Sequence, residues 1–318
     1  MSKFSQHIFI TRKITPVARE LLSNHFHVEE FAGENVITKK ELIEAVKNCD
    51  GLLTTYVDLI DEEVLRAGKR LKAVSNCAVG LDNIDVASAR KMGIAVYNTP
   101  DIVTNSTADL TLGILLAMIR RIPEASAYVR AGRWKQFEPM LFLGEELQGK
   151  TFGIFGYGRI GKAVARRAAG FGLKIVVYHR SQVTFEPEMG RCIEQVGLEE
   201  FYKRVDYLSL HVPLTAETRN LIDLSSMKKM VRKPILINLA RGAIVNTDDL
   251  YKALTTGILR GAALDVTDPE PLPAQHPLLH LDNCLVLPHL GTGTEECRYE
   301  VAKKAAESLV HHFSAAAR

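Results

Sequence analysis

Short apolar runs alternate with helically spaced apolar positions along the first hundred residues. Ile8-Phe9-Ile10 predicts a strand, and Val17 to Leu22, behind Thr15-Pro16, predicts a helix. Gly51-Leu52-Leu53-Thr54 predicts a second strand and Glu62 to Ala67 a second helix. Lys72-Ala73-Val74-Ser75 and Ile94-Ala95-Val96-Tyr97 predict two more strands. Strands that alternate with helices imply a parallel sheet with crossover helices, so this stretch is a first α/β unit.

A helix that is apolar on most of its faces follows, from about Asn105 to Ile119, opened by Thr104-Asn105-Ser106-Thr107. Such a helix must be buried, and burial between domains or between subunits would both satisfy it. The stretch from Arg130 to Gly149 carries the only tryptophan, Trp134, and reads as looser structure. A second α/β unit starts at Thr151. Its strands are expected at Phe152 to Phe155, Lys174 to Tyr178, Tyr207 to His211, Ile235 to Leu239, Ala262 to Val266 and Leu285 to Leu287. A helix runs from the first of these through Ala169, and another from Thr294 to Phe313 closes the pattern.

Composition narrows the class. The 318 residues suffice for two domains, and 47% apolar with 24% charged residues is ordinary for globular proteins. A net charge of +3 favours neither a nucleic-acid nor a membrane-surface partner. Five scattered cysteines without a C-x-x-C pair predict free thiols and no zinc site. The polar start Met1-Ser2-Lys3-Phe4-Ser5-Gln6 is not a secretory signal, Ala315-Ala316-Ala317-Arg318 is not a peroxisomal address, and no apolar run could span a bilayer. The expected location is the cytoplasm.

The chemistry begins at Gly156-Tyr157-Gly158-Arg159-Ile160-Gly161, which follows a strand and opens a helix. That setting is what a dinucleotide fingerprint requires. Gly156 would make the tight turn, Gly158 would leave room for the pyrophosphate, and Gly161 would let helix and strand pack closely. The helix N-terminus, with Arg159 and Ile160, would present its N–H groups to the phosphates. An NAD site expects an acid at the end of the next strand. Here that strand ends Tyr178-His179-Arg180-Ser181, and the nearest acid is Glu186. His179, Arg180 and Ser181 therefore predict room for a 2′-phosphate: NADP(H) preferred, NAD(H) possible.

Three polar residues lie at later strand ends: Arg241, Glu270 and His289. In open α/β sheets, ligands lie at the carboxyl ends of the strands. The three residue types suit reduction of a 2-keto acid. Histidine is a proton donor near neutral pH, a carboxylate would orient it and favour its protonated form, and arginine binds a carboxylate and polarises a carbonyl. Spacing alone leaves their convergence open.

Taken in order, Val79-Gly80-Leu81-Asp82-Asn83-Ile84-Asp85, the glycine turn, Asn238-Leu239-Ala240-Arg241-Gly242, Leu264-Asp265-Val266 with Glu270-Pro271, and Leu287-Pro288-His289 resemble the D-isomer-specific 2-hydroxyacid dehydrogenase family over essentially the whole chain. Asn246 to Tyr251 and Leu264 to Leu279 resemble most its glyoxylate/hydroxypyruvate reductases. The resemblance implies an α/β fold of two Rossmann-like domains with parallel sheets. A cofactor domain at 101–289 would be inserted into a discontinuous substrate domain at 1–100 and 290–318, to which the last helix returns. It also implies roles: Arg241 for substrate, Glu270 for tuning the histidine, His289 as proton donor, and the Val79 and Gly80 N–H groups for the substrate carboxylate. Thr107, Pro213, Leu239, Asp265 and Gly291 would line the cofactor site. A homodimer through the cofactor domain is expected, which offers a role for the helix after Thr107.

The expected function is NADPH-dependent reduction of small 2-keto acids, glyoxylate and hydroxypyruvate first. Alternatives are a 2-ketogluconate reductase, a phosphoglycerate dehydrogenase, or a dinucleotide-sensing co-repressor without turnover. Two departures from the family pattern touch specificity. Pro139-Met140-Leu141-Phe142 lacks the tryptophan often found in that loop, and Gly291-Thr292-Gly293-Thr294 replaces Gly-Ser-Ala-Thr. His311-His312 reads as a surface pair, since adjacent helical residues share no face for a metal.

Overall fold

Strands inside each sheet are buried along most of their length, and the edge strands are half-exposed whether or not they are apolar. The computed structural model describes residues 6–315, so the polar start Met1–Ser5 and the end Ala316–Arg318 lie outside the described residues. Two compact units emerge, Met1–Val103 with Gly293–Arg318, and Thr104–Thr292.

The first unit runs β1 (His7–Ile10), α1 (Pro16–Ser23), β2 (His27–Glu30), α2 (Lys39–Val46), β3 (Gly51–Thr54), α3 (Glu62–Ala67), β4 (Ala73–Asn76), α4 (Val86–Lys91) and β5 (Ala95–Tyr97). The sheet is parallel, in the order β2-β1-β3-β4-β5. Successive strand residues face opposite sides, so a strand covered on both faces must be apolar throughout. Phe9, Leu52 and Val74 pack with Val46, Val64 and Leu65 on one face. Ile8, Ile10 and Leu53 pack with Leu22, Leu309 and Phe313 on the other. Edge strand β2, His-Val-Glu-Glu, is half exposed, and its acids hid it from the apolar pattern. Helix α2 also escaped that pattern. Its signal was the capping box: the Thr38 N–H donates to Glu41 Oε2 at 2.8 Å, and the Glu41 N–H donates to Thr38 Oγ1 at 3.3 Å.

The second unit begins with α5 (Thr104–Ile119) and α6 (Ile122–Arg130). It continues with β6 (Thr151–Phe155), α7 (Arg159–Gly170), β7 (Lys174–Tyr178), β8 (Ile193–Gln195), α8 (Leu198–Arg204), β9 (Tyr207–Leu210), α9 (Leu224–Lys228), β10 (Ile235–Asn238), α10 (Thr247–Thr255), β11 (Gly261–Leu264) and β12 (Cys284–Val286). Its seven strands are parallel, in the order β12-β11-β10-β9-β6-β7-β8. From β6 the chain moves one way to β7 and β8, then crosses to β9 and the other side. That reversal opens a ligand crevice beyond the carboxyl ends of β6 and β9. All five β6 residues are buried.

Helix α5 is buried as its composition demands, and a partner in its own unit is α7. Ala108, Leu112, Leu115 and Ile119 join Val164, Ala165 and Ala168 in one core, and Arg167 Nε donates to Asp109 Oδ1 at 2.5 Å. Helix α6 precedes the region read as loose, sharing only Arg130 with it, and none of its residues is buried; 131–149 carries neither helix nor strand. The last helix, α11 (Glu295–Ala315), belongs to the first unit. There Ala302, Ala305 and Leu309 pack against Ile8 and Leu53, and Ser75 Oγ donates to the Ala305 carbonyl at 2.8 Å. The reading of both His311 and His312 as surface residues is corrected for His312. Its Nδ1 lies 3.0 Å from the Tyr97 hydroxyl, because the strand face it covers is half-buried. Among the described residues no helix is long and apolar enough to cross a membrane.

Candidate active site

The glycine turn sits between two strand exits. The Gly156 N–H donates to the Tyr178 carbonyl at 2.9 Å, and the His211 N–H donates to the Phe155 carbonyl at 2.8 Å. Gly156 has φ of +101°, and a Cβ there would come 2.8 Å from the His211 carbonyl oxygen, so only glycine fits. A Cβ on Gly161 would stand 2.2 Å from the Gly156 carbonyl oxygen, which is how closely α7 starts upon the turn. Above Gly158 the space is open: a Cβ would meet nothing within 4 Å. Gly158 caps α7 without a side-chain hydrogen bond, so the first N–H groups of the helix suit an anion. An uncapped helix start under open space fits a dinucleotide pyrophosphate.

The acid nearest the end of β7 is engaged elsewhere. The buried Tyr157 donates its hydroxyl to Glu186 Oε2 at 3.1 Å, and Arg166 and Lys162 lie 3.2 and 3.8 Å from Oε1. Burial alone would raise the Glu186 carboxyl. A backbone hydrogen bond, the Tyr157 hydroxyl and the two cations outweigh it and hold the group below its ordinary value. His179 turns inward and accepts the Tyr157 N–H on Nδ1 at 3.2 Å. Arg180 and Ser181 stay exposed.

On the other side of the crossover, the carboxyl ends of β10, β11 and β12 carry the remaining predicted residues. Asn238 ends β10 fully buried; its Oδ1 accepts the Ala240 N–H at 3.0 Å and its Nδ2 donates to the Arg241 carbonyl at 2.8 Å. This tight loop presents Arg241, whose Nη1 donates to the Ala240 carbonyl at 2.8 Å. A Cβ on Gly242 would fall 1.9 Å from the Thr267 carbonyl oxygen, so glycine at this position lets the Arg241 loop touch the loop that leads to Glu270.

Asp265, just after β11, is 1% exposed and organises the next loop. Its Oδ1 accepts the Leu290 N–H at 2.6 Å and its Oδ2 the Gly291 N–H at 2.7 Å. Its carbonyl accepts the His289 N–H at 2.9 Å. Thr107 Oγ1 donates to the Gly291 carbonyl at 3.2 Å. Held this way, His289 adopts φ of +56° and places Nδ1 2.6 Å from Glu270 Oε1. The other Glu270 oxygen accepts the Thr267 N–H at 3.1 Å. An ionised carboxylate can only accept, so Nδ1 carries the hydrogen of that bond. The structure thus brings His289 and Glu270 together, with Arg241 on the adjoining loop. Pro213 and Leu239 follow β9 and β10 on the same sheet end, while Val79 and Gly80 follow β4 in the first unit.

A model of the D-isomer specific 2-hydroxyacid dehydrogenase NAD binding domain matches residues 112–291. The chain belongs to this family. A glyoxylate reductase of Korarchaeum cryptofilum is 44% identical over 305 residues, covering 95% of this chain and 91% of the relative. Among solved structures, a protein of Thermus thermophilus superposes with a TM-score of 0.89 at 42% identity, covering 96% of each chain. The NADPH-dependent glyoxylate/hydroxypyruvate reductase of Sinorhizobium meliloti, solved with NADP and malonate, gives 0.83 at 30% identity over 97% of this chain and 94% of that one. The protein is an NAD(P)-dependent D-2-hydroxyacid dehydrogenase with the family's two-sheet α/β fold. Cys77, next to the Val79 loop, has its thiol pushed up to about 12 by burial, so it is no thiolate at neutral pH.

Sequence reading passed over Asn238, Gly242 and His211 as site-building residues. The first two had a visible signal, a polar residue and a glycine flanking an arginine at a strand end. His211 follows β9 and lies 2.8 Å from Ser209 Oγ through Nε2. Burial lowers it from 6.5 to about 3, so it stays neutral in the folded protein. The unfolded chain takes up that proton between these values, so stability falls as pH drops below about 6.5, by at most about 1.4 kcal/mol per pH unit. Urea unfolding of wild type and His211→Asn between these pH values should give a flatter slope for the variant; parallel slopes would remove His211 as the source.

Proposed function

We propose that this enzyme is an NADPH-preferring reductase of small 2-keto acids, converting glyoxylate to glycolate and hydroxypyruvate to D-glycerate. The observation that carries this reading is the 2.6 Å His289–Glu270 pair at the carboxyl edge of the sheet whose interior strand β6 ends in the glycine turn. The reduced nicotinamide supplies hydride to the carbonyl carbon when bound. The chain does the rest. Arg241 holds the 2-keto acid and draws electron density toward the carbonyl oxygen. The N–H groups of Val79 and Gly80 take the substrate carboxylate. With Nδ1 bonded to Glu270, His289 exchanges its proton through Nε2 and delivers it to the oxygen as the alcohol forms. Glu270 fixes the ring orientation and stabilises the imidazolium, as a carboxylate does for a general acid–base histidine. Asp265 and Thr107 keep the His289 loop in place beside the cofactor, which Pro213, Leu239 and Gly291 line.

The NADPH preference rests on Arg180 and Ser181, exposed after β7, and on Glu186 being neutralised by Tyr157, Arg166 and Lys162. The Sinorhizobium meliloti relative is NADPH-dependent, which supports the same reading. Small substrates are supported by the glyoxylate reductases of Korarchaeum cryptofilum and Pyrococcus furiosus, both 44% identical to this chain. Five free cysteines fit a cytoplasmic setting. A homodimer is supported by α6 and the residues after it, where Ile122, Val129, Trp134, Phe137, Met140 and Leu143 are all exposed.

NADPH and NADH oxidation against a panel of 2-keto acids tests the reading; tight NADPH binding with no turnover of any of them would sink it. His289→Asn should lower kcat by roughly 10²–10⁴-fold with NADPH affinity unchanged, the range general acid catalysis contributes. Wild-type activity in that variant would take the proton from another group. Arg180→Ala should raise the KM for NADPH far more than for NADH, and parallel changes would refute the phosphate site. Sedimentation should give twice the chain mass, and a monomer at assay concentration would exclude the dimer.

A further inference from the structure

Beyond the Cys77 N–H, which donates to the Thr54 carbonyl at 2.7 Å, the loop that carries Val79 and Gly80 is anchored through its carbonyls. The Thr99 N–H donates to the Ala78 carbonyl at 3.0 Å. Asn98 Nδ2 donates to the Val79 carbonyl at 2.7 Å, and Asn76 Nδ2 donates to the Gly80 carbonyl at 2.9 Å. Three consecutive carbonyls are thus turned into the protein. Among the described residues, neither the Val79 nor the Gly80 N–H donates to a protein acceptor. Val79 is exposed, so its N–H lies where a small anion can arrive. In a planar peptide a carbonyl and the next residue's N–H point in opposite directions, so fixing the Ala78 carbonyl aims the Val79 N–H and fixing the Val79 carbonyl aims the Gly80 N–H.

Beneath the loop lies a buried polar scaffold. Asn76 is fully buried, and its Nδ2 also donates to Asn83 Oδ1 at 3.0 Å. Asn83 Nδ2 in turn donates to the carbonyls of Thr55 and Asp58, each at 3.0 Å. Asp58 Oδ2 accepts the hydroxyls of Thr11, Thr54 and Thr55 and the Thr55 N–H at 2.7, 3.0, 2.9 and 2.8 Å. This chain runs from the ends of β1 and β3 to the end of β4, so the loop rests on three strand termini. These bonds hold the base of the loop, although Asn76 Oδ1 and Asp58 Oδ1 are buried without a hydrogen-bond partner in the structure.

We propose that Asn98 is a positioning residue for the substrate carboxylate: its side-chain amide locks the Val79 carbonyl and so aims the Gly80 N–H, which with the Val79 N–H, set by the Thr99 bond to the Ala78 carbonyl, forms a fixed anion receptor, while Asn76 holds the far end of the loop through the Gly80 carbonyl. The inference rests on the role given above to Val79 and Gly80. It adds a residue that acts on the substrate through the loop backbone. It also separates binding from chemistry. Loosening the receptor weakens the hold on the carboxylate, while proton delivery by His289 and cofactor binding at the glycine turn are untouched.

Asn98→Leu keeps the branching of the side chain, with greater bulk at a partly exposed position, and removes the donor. The probes are glyoxylate in steady-state assays and oxamate, a non-reacting 2-keto acid isostere, titrated against the NADPH complex by nicotinamide fluorescence. In Asn98→Leu the glyoxylate KM and the oxamate Kd should both rise about tenfold, as for one lost orienting hydrogen bond. The kcat and the NADPH Kd should hold. A folded Asn98→Leu with unchanged KM and oxamate Kd overturns the proposal, as does a fall in kcat with KM unmoved. Asn98→Ala, smaller at the same position, should show the same split, so a folding defect in one variant leaves the other to decide. A wild type that neither reduces 2-keto acids nor binds oxamate instead overturns the proposed function, and the receptor role with it.

Discussion

The candidate site depends on the buried carboxylate of Asp265. Both oxygens accept backbone N–H groups from Leu290 and Gly291, and the Asp265 carbonyl takes the His289 N–H. Hydrogen bonds to a charged acceptor contribute about 1.5–3 kcal/mol each, more than ordinary backbone bonds. That hold is strong enough to keep His289 in a left-handed conformation that few non-glycine residues adopt. From this geometry the histidine meets Glu270 at 2.6 Å. Of the bonds on the loop after β12, which include Thr107 to the Gly291 carbonyl, those to Asp265 are the ones that set the backbone at His289 and Leu290.

The same device recurs across the chain. Asn238 turns the end of β10 through two hydrogen bonds to its own loop, Asp265 holds the loop after β12, and Asn76 holds the loop after β4. In each case a buried polar side chain at a strand terminus fixes backbone that has left the sheet. A parallel sheet supplies rigid strand ends but leaves the departing loop without ladder hydrogen bonds, and these side chains replace them. The residues expected to touch ligand are then carried on loops whose own freedom has already been removed.

Electrostatics divides the crevice end into two regions. On the β7 side, Glu186 is tied to Tyr157, Arg166 and Lys162, and Arg180 stands exposed at the strand end. On the β10 to β12 side, Arg241 and His289 stand with Glu270 as their acid. A nicotinamide dinucleotide has its adenosine at one end, its reacting ring at the other and its pyrophosphate between them, and this division matches that asymmetry. His211 lies by the turn between them, kept neutral by burial, and adds no charge.

Much was legible in the chain itself. Continuous apolar runs located β3, β6, β9, β10 and β11, because a strand covered on both faces has no alternative composition. The strand–turn–helix setting of Gly156 to Gly161 made a dinucleotide site readable, since Gly156 and Gly161 stand where a Cβ would strike backbone. Arg241, Glu270 and His289 were visible as polar residues at strand ends. Edge strand β2 and helix α2 were missed, because half-exposed elements carry weak apolar signals and declare themselves only through caps and pairing. Only the tertiary structure decided that Glu270 meets His289, that Asp265 anchors the loop between β12 and α11, and that Glu186 is withdrawn from the end of β7. Those contacts join residues 19, 25 and 29 positions apart. Sequence spacing places no limit on such pairs, and the order and register of the strands bring them together.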